Sequence, residues 1–266
     1  MSYTWASVVH HSDIGVSTGA FSELSLADAL LRIAALAPAA EVFSYGRHSL
    51  LEQGNALAVA AVGLPFSVHG PFTHAEFATT SGAKHRAALD LHRRHMAVAA
   101  ELGAFLYIVH PDLYHRPRPW NPKVAAALER SFDELRGLQD LYGLEVAVEN
   151  MPIAHQSHFT RPGDLDLRGL GLVLDTGHAA LTGTLAEWLS EPQASLRHVH
   201  LHDNGGRGHG DHHQPVGSGV VDVGPVLAAA RAAGATIALE LTNEADVVAS
   251  LAYLRAHDHL LPLASR

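Results

Sequence analysis

Short apolar runs alternate along the chain with segments whose apolar residues recur at helical spacing. Residues 66–69 and 172–174 are runs of the first kind, and the stripe that begins at Val124 and ends near Tyr142 is of the second kind. Gly143 follows that stripe, as is usual after a helix end. Short strands that are almost wholly apolar are typical of a parallel sheet covered on both faces. The pattern therefore predicts a sheet whose strands are connected by helices.

Eight strands are predicted in this way, and helical patterns separate most of them. The predicted strands are residues 7–10, 41–45, 66–69, 104–109, 145–149, 172–175, 197–201 and 236–241. The predicted helices are residues 25–36, 50–62, 81–102, 122–142, 185–189, 223–233 and 244–255. This alternation predicts an α/β fold, a single (β/α)8 barrel. A doubly wound open sheet is disfavoured because no Gly-rich phosphate-binding turn follows the first predicted strand.

The composition adds limits on class and partners. Of 266 residues 47% are hydrophobic, and no Pro-, Gly- or Ser-rich linker divides them, so we expect one domain over residues 1–266. Cysteine is absent, so a metal would have to bind to His, Asp or Glu. The formal charge of -9 without a basic stripe disfavours a nucleic-acid partner. No secretion signal or membrane-spanning run is evident, and a cytoplasmic protein is expected.

Residues of metal-ligand type stand at the ends of the predicted strands. Asp175 ends one strand and His178 follows three residues later, which is weak evidence by itself. The repetition strengthens it, because other strands end in the same manner: at His69, His110, Glu149, His200 and Glu240. The carboxyl ends of the strands form the active-site face of a (β/α)8 barrel. The barrel thus explains why these residues recur at the same place.

Strand alternation indicates which of these side chains point inward. Glu149 shares a face with Ala147, and Glu240 shares a face with Ala238, which suits a crowded barrel interior. Three histidines of the seventh predicted strand also share a face, and periodicity does not choose among them: His198, His200 and His202.

Several motifs together resemble a known superfamily, and the resemblance covers nearly the whole chain. The motifs are His69-Gly70-Pro71, His110-Pro111, Glu149-Asn150, Asp175-Thr176-Gly177-His178, His200-Leu201-His202-Asp203, Asp211-His212-His213 and Glu240. They are similar to those of the xylose-isomerase-like barrels, which include endonuclease IV-type AP endonucleases and sugar epimerases. The resemblance selects His200 as the ligand on the seventh strand.

The resemblance implies two alternative metal sites. Epimerase-like members bind one divalent ion, and the corresponding ligands are Glu149, Asp175, His200 and Glu240. Endonuclease IV-like members bind three zinc ions, and the additional ligands correspond to His69, His110, His178, Asp211 and His213. Every one of these positions has a suitable residue. We therefore expect two or three divalent ions per chain, either zinc or manganese.

Two kinds of chemistry remain open at such a site. The first is hydrolysis of a small phosphoester at a multinuclear centre, and it is the preferred interpretation because it uses all the ligands. The alternative is isomerisation or epimerisation of a sugar or sugar phosphate, with Glu149 and Glu240 as acid and base. DNA repair is disfavoured by the acidic charge and by the short loop after the first strand. A catalytically silent binding barrel is also disfavoured, because the ligands are intact at the strand ends.

Overall fold

Eight parallel strands close into a barrel in the order in which they occur along the chain. The computed structural model describes residues 14–73, 77–111, 121–152, 157–190 and 193–257. The last strand pairs with the first, with Gly15 opposite Ala238, and this pairing closes the barrel. The strands are β1 (Ile14–Ser17), β2 (Ala40–Phe43), β3 (Phe66–His69), β4 (Leu106–Val109), β5 (Val146–Glu149), β6 (Gly171–Asp175), β7 (Leu196–Leu201) and β8 (Thr236–Leu239).

Helices cover the outside of this barrel. Ser25 caps the first of them, since its hydroxyl oxygen accepts a hydrogen bond from the backbone N–H of Asp28 at 3.2 Å. Gly143 and Gly234 end two others in the left-handed conformation. The helices are α1 (Leu26–Ala34), α2 (Asn55–Val62), α3 (Gly82–Glu101), α4 (Pro122–Tyr142), α5 (Thr176–Thr182), α6 (Leu185–Ser190), α7 (Val223–Ala233) and α8 (Glu244–Ala256). The (β/α)8 barrel predicted from the sequence is confirmed.

The two faces of the strands differ in polarity, and this difference positions the site. The outward side chains, such as Val68 and Val148, join one apolar core with the helices. The inward side chains divide into an apolar part and a polar part. The apolar part is Leu106, Ile108, Ala147 and Val173. The polar part lies on the other strands and at the carboxyl ends of the strands. Its buried members include Glu41, Ser67, His69, Glu149, Asp175, His198 and His200.

The first strand differs from the prediction. The barrel uses residues 14–17 as β1, whereas the predicted strand at residues 7–10 lies outside the described residues. The β-branched run Val8-Val9 is the stronger strand signal in the sequence, and Gly15 weakens the signal of the true strand. Gly15 suits the close packing at this point, because a Cβ there would lie 3.3 Å from the Ala39 carbonyl oxygen, closer than most Cβ contacts.

Two helices also differ from the prediction. Helix α2 begins at Asn55 and not at residue 50, because Gly54 adopts a φ of 89°, which interrupts helical geometry. Helix α5 was not predicted, since its seven residues are too few to show a helical period. Asp175 caps it by accepting a hydrogen bond from the His178 N–H at 2.7 Å. The candidate metal-ligand motif at the end of β6 is therefore also a helix start.

All described elements belong to this one barrel, and the single domain over residues 1–266 stays a prediction. Within the described ranges, no helix combines the length and apolar character needed to cross a membrane.

Candidate metal centre

All nine candidate ligands lie at the carboxyl ends of the strands or in the segments that follow. His69, Glu149 and Asp175 are the last residues of their strands, and His200 is the penultimate residue of β7. His178 lies in the first turn of α5. The remaining four follow strand ends directly or lie in the loop after β7: His110, Glu240, Asp211 and His213. The structure brings all nine together in three groups of mutually close side chains.

The first group consists of His69, His110 and Glu149. The two imidazole Nε2 atoms lie 3.1 Å apart. Glu149 Oε2 lies 3.4 Å from His69 Nε2 and 3.1 Å from His110 Nε2. Three lone-pair-bearing atoms therefore face a common point.

The second group consists of Glu149, Asp175, His200 and Glu240. His200 Nδ1 lies 3.3 Å from Glu149 Oε1, 3.8 Å from Asp175 Oδ2 and 3.0 Å from Glu240 Oε2. Glu149 thus places one carboxylate oxygen in this group and the other in the first group. A carboxylate in this position is able to bridge two cations.

The third group contains His178, Asp211 and His213. Asp211 Oδ2 lies 3.2 Å from His178 Nε2 and 3.4 Å from His213 Nε2. His202 belongs to the same cluster, because its ring stacks on that of His213 with the centroids 4.0 Å apart. Its Nε2 donates to Asp175 Oδ2 at 3.0 Å, which connects the third group to the second.

The spacing of these atoms fits a divalent metal ion. Tetrahedral zinc has bonds of about 2.0–2.2 Å, which places neighbouring ligand atoms roughly 3.3–3.6 Å apart. The contacts within the groups run from 3.0 to 3.8 Å and bracket this value. Several polar atoms are also buried without a hydrogen bond, and a cation would satisfy them: both carboxylate oxygens of Glu149, Glu240 Oε2 and His200 Nδ1. The donor set lacks sulfur and suits zinc or manganese.

The second ring nitrogen of most histidines in the groups is already occupied. Nδ1 of His69 donates to the Gly70 carbonyl at 2.9 Å, and Nδ1 of His178 donates to the Asn150 carbonyl at 2.8 Å. Nδ1 of His213 donates to the Glu240 carbonyl at 2.9 Å. A neutral ring that donates from Nδ1 keeps its lone pair on Nε2, and Nε2 is the atom that faces each group. Histidines that bind metals are usually oriented in this way.

Charge within the centre is strongly coupled. Burial alone lowers the pKa of His200, but the charges of Glu240 and other nearby glutamates outweigh it and raise this pKa well above its ordinary value. Burial raises the pKa of Glu240, yet His200 lowers it to about 2. Burial likewise opposes ionisation of Glu149, and His200 with His110 nevertheless holds its pKa well below the usual range. Without metal, protons on imidazoles balance the carboxylates, and a bound cation would replace those protons.

The loop after β7 is fixed by Asp203, a residue that the sequence analysis named only within a motif. Its carboxylate accepts from the backbone N–H groups of Asn204 at 2.9 Å, Gly217 at 3.1 Å and Val221 at 2.9 Å. Its backbone also pairs with Gln214 in an antiparallel bridge. This anchoring holds the segment that presents Asp211 and His213, so the Gly-rich composition of the loop does not prevent a defined geometry.

Sequence reasoning missed the role of three further residues. Glu41 lies beneath the centre at 3.3 Å from His200, and the one available signal was a carboxylate within an otherwise apolar strand. His202 was passed over, because the resemblance selected His200 among the three histidines of the seventh strand. Asn150 makes two hydrogen bonds to the backbone of Asp175 at the end of β6. Its Oδ1 accepts from the Asp175 N–H at 2.7 Å, and its Nδ2 donates to the Asp175 carbonyl at 3.1 Å.

A cavity of about 320 Å³ opens onto the three groups. Its walls combine ligand residues with apolar side chains, among them Phe43, Phe72, Met151 and Leu241. No Lys or Arg occurs among the described residues that line it.

The fold and the site together define a class of protein: a TIM barrel with a candidate metal centre at the carboxyl ends of its strands. Residues 37–257 match the family of xylose isomerase-like TIM barrels, and the chain belongs to that family. The resemblance stated from the motifs is thereby confirmed.

The solved structures that are similar to this chain include the following three. A D-tagatose 3-epimerase-like protein is 25% identical, with a TM-score of 0.81 over 94% of this chain and 98% of that one. A protein from Thermus thermophilus, soaked with ZnCl2, is 26% identical, with a TM-score of 0.70 over 91% of this chain and 96% of that one. Endonuclease IV from Thermus thermophilus is 21% identical, with a TM-score of 0.67 over 92% of this chain and 98% of that one, a likeness of fold alone.

Proposed function

We propose that the protein is a metal-dependent phosphoester hydrolase that acts on a small substrate at a centre of two or three zinc or manganese ions. The observation that carries the proposal is the convergence of three ligand groups on one cavity, with Glu149 shared between two of them. A single-ion enzyme would need only one of these groups. The similar protein from Thermus thermophilus was soaked with ZnCl2, which makes zinc the first ion to test here.

Clustered divalent ions would supply a water of lowered pKa and positive charge at the reacting phosphoryl group. The protein side chains would perform the remaining tasks. Glu149 would keep the first and second groups at a fixed separation, because its two oxygens belong to different groups. Glu240, at the edge of the cavity, would orient a polar group of the substrate or accept a proton from it.

The cavity supports a small molecule as substrate. Its volume of about 320 Å³ lies at the lower end of the range for pockets that enclose small ligands. Phe43 and Phe72 form an aromatic wall with ring centroids 5.6 Å apart, and the Phe72 centroid lies 5.5 Å from that of the His110 ring. This wall would contact the apolar face of a substrate whose phosphoester reaches the ligand groups.

A sugar isomerase or epimerase is the second candidate. It is favoured by one observation, the similarity to a D-tagatose 3-epimerase-like protein over nearly the full length of both chains. The second group alone would bind one ion, and Glu149 with Glu240 would exchange protons with carbon on opposite faces of the substrate. This alternative assigns no shared role to His110, Asp211 and His213.

The two candidates are separated by variants at residues that only one of them needs. The metal-loaded protein is assayed against phosphomonoesters, phosphodiesters and ketoses, with metal content measured in parallel. The variants are His110→Ala, His213→Ala and Glu240→Gln. His212→Ala is the matched control, because His212 is exposed, lies in the same loop and belongs to none of the three groups.

For the hydrolase we expect His110→Ala and His213→Ala each to lose metal. Phosphoesterase activity should fall roughly a thousandfold, since a cation at a reacting phosphoryl group contributes several kcal/mol. His212→Ala should keep both metal and activity. If both ligand variants keep full metal content and full activity while Glu240→Gln loses both, the hydrolase proposal is wrong and the isomerase is favoured.

A further inference from the structure

A second layer of polar side chains lies inside the barrel, directly beneath the metal centre. It consists of Glu41 on β2, Ser67 on β3 and His198 on β7, and all three are buried. Strand alternation places Ser67 below His69 and His198 below His200. The register pairs Glu41 with Ser67, so the carboxylate belongs to the same layer. A buried carboxylate is costly unless its partners compensate for the loss of water, so this layer requires an explanation.

One oxygen of Glu41 receives all the contacts of this layer. Oε2 accepts a hydrogen bond from the Ser67 hydroxyl at 3.1 Å and lies 3.2 Å from His198 Nε2. His200 Nε2 donates to the same oxygen at 3.3 Å. His198 is itself fixed from the other side, where its Nδ1 lies 2.6 Å from the Thr236 hydroxyl. The carboxylate is therefore held in place by side chains from two other strands, β3 and β7.

The His200 ring connects this layer to the second ligand group. Its Nε2 faces Glu41, whereas its Nδ1 lies 3.0 Å from Glu240 and 3.3 Å from Glu149. A ring that donates from Nε2 keeps its lone pair on Nδ1, the nitrogen within the second group. Without an acceptor below the ring, either nitrogen could carry the proton.

His200 differs in this respect from the other oriented histidines of the centre. His69, His178 and His213 donate to neutral backbone carbonyls, and they face their groups through Nε2. His200 donates to a carboxylate and presents Nδ1. A carboxylate is a stronger acceptor than a carbonyl, so it withdraws the proton further and leaves the ring a more basic ligand.

We propose that Glu41, braced by Ser67 and His198, is a positioning residue that fixes the Nδ1 lone pair of His200 and strengthens metal binding by the second group. The proposal rests on metal binding at the centre, which the hydrolase and the isomerase share, and it does not depend on which reaction follows. A competing interpretation is that Glu41, His198 and His200 bind an additional ion of their own. His200 would then have to bind two ions, one at each ring nitrogen.

The test is a zinc titration of the metal-free full chain at pH 7 against a competing chelator. The variants are Glu41→Gln, which keeps the side-chain shape, and Glu41→Asp, which keeps the charge. Glu145→Gln is the matched control, because it makes the same substitution at a half-exposed glutamate that pairs with Arg197 before the start of β5, away from the ligand groups. The unfolding midpoint of each metal-free variant is measured beside the affinities.

We expect Glu41→Gln to weaken one zinc site roughly 10- to 100-fold, the range for loss of an outer hydrogen-bond partner of a ligand, and to leave the other sites within about threefold. Glu41→Asp should recover part of the loss, and Glu145→Gln should stay within about threefold of the wild type. A purely structural role would lower the unfolding midpoint of Glu41→Gln and leave every affinity unchanged. That result would overturn the proposal. The proposal would also be overturned if an ion bound by the wild-type protein used His198 as a ligand.

A measurement on the wild-type protein covers the case in which the Glu41 variants do not fold. In the zinc-loaded protein, nitrogen-15 shifts of the histidine rings should show His200 protonated at Nε2 and metal-bound at Nδ1. The opposite assignment would contradict the proposal. A wild-type protein that binds no zinc would instead refute the metal centre itself, so the two failures are distinguishable.

Discussion

Replacement of Asp203 by alanine should detach the third ligand group while leaving the barrel intact. The Asp203 carboxylate is buried and accepts three backbone N–H groups of the loop after β7, those of Asn204, Gly217 and Val221. That loop presents Asp211 and His213. The perturbation therefore acts on the position of two ligands without removing either of them.

The magnitude follows from the hydrogen bonds that are lost. A hydrogen bond to a charged group contributes about 1.5–3 kcal/mol. Three such bonds to one carboxylate are not additive. We therefore expect the folded loop to lose roughly 3–6 kcal/mol of stability. Asp203→Asn should be intermediate. In Asp203 the backbone N–H groups of Asn204 and Val221 both donate to Oδ1, and the amide oxygen of asparagine could still accept these two hydrogen bonds. The NH₂ group of asparagine would face the Gly217 N–H, and neither of these groups can accept.

The assay combines metal content with hydrogen exchange of the backbone amides. In Asp203→Ala the amides of Gly217 and Val221 should lose protection, and one ion per chain should be lost from the third group. Asp222→Ala is the matched control, because Asp222 is exposed and caps α7 by accepting from the Gly224 N–H at 3.3 Å. It should cost about 1 kcal/mol and leave the metal content unchanged. Full metal content and normal protection in Asp203→Ala would refute this account of the loop.

Three further predictions concern other parts of the centre. Abasic-site duplex DNA should not be an efficient substrate at physiological salt, given the charge of -9, and incision that disappears in Glu149→Gln would contradict this. In metal-free protein, burial disfavours the protonated form of His213, whereas Asp211 favours it. The net effect raises the pKa of His213 from 6.5 to about 9. Protonated His213 should therefore stabilise the fold below pH 6.5, and denaturation curves of wild type and His213→Ala should converge as the pH rises through about 9. Gly177→Ala should distort the third group, because a Cβ there would overlap the His202 ring, and retention of all bound zinc would argue against this.

The sequence was most informative where one physical signal dominated. Strand β3 and helix α7 have the predicted bounds, since an apolar run and a helical stripe ending at Gly234 are unambiguous. Strand β1 was misplaced because Gly15 weakens its local signal, and no local pattern reports the close packing of Gly15 against Ala39.

Most of the candidate ligands could be gathered from the sequence because they stand at or just after strand ends, a position that the topology fixes, whereas Asp211 and His213 came from the family resemblance. Glu41 could not, because its role depends on the register between β2 and β3 and on a contact with His200, 159 residues away in sequence. The anchoring by Asp203 was equally hidden, since it joins backbone groups up to 18 residues apart within an irregular loop.

The central claim is that the three ligand groups bind more than one ion. The most direct test is elemental analysis of protein purified without chelator, before and after soaking with zinc and with manganese. The account predicts two or three ions per chain, with His110→Ala and His213→Ala each retaining fewer than the wild type. One ion or fewer in the wild type after soaking, unchanged in both variants, would contradict it.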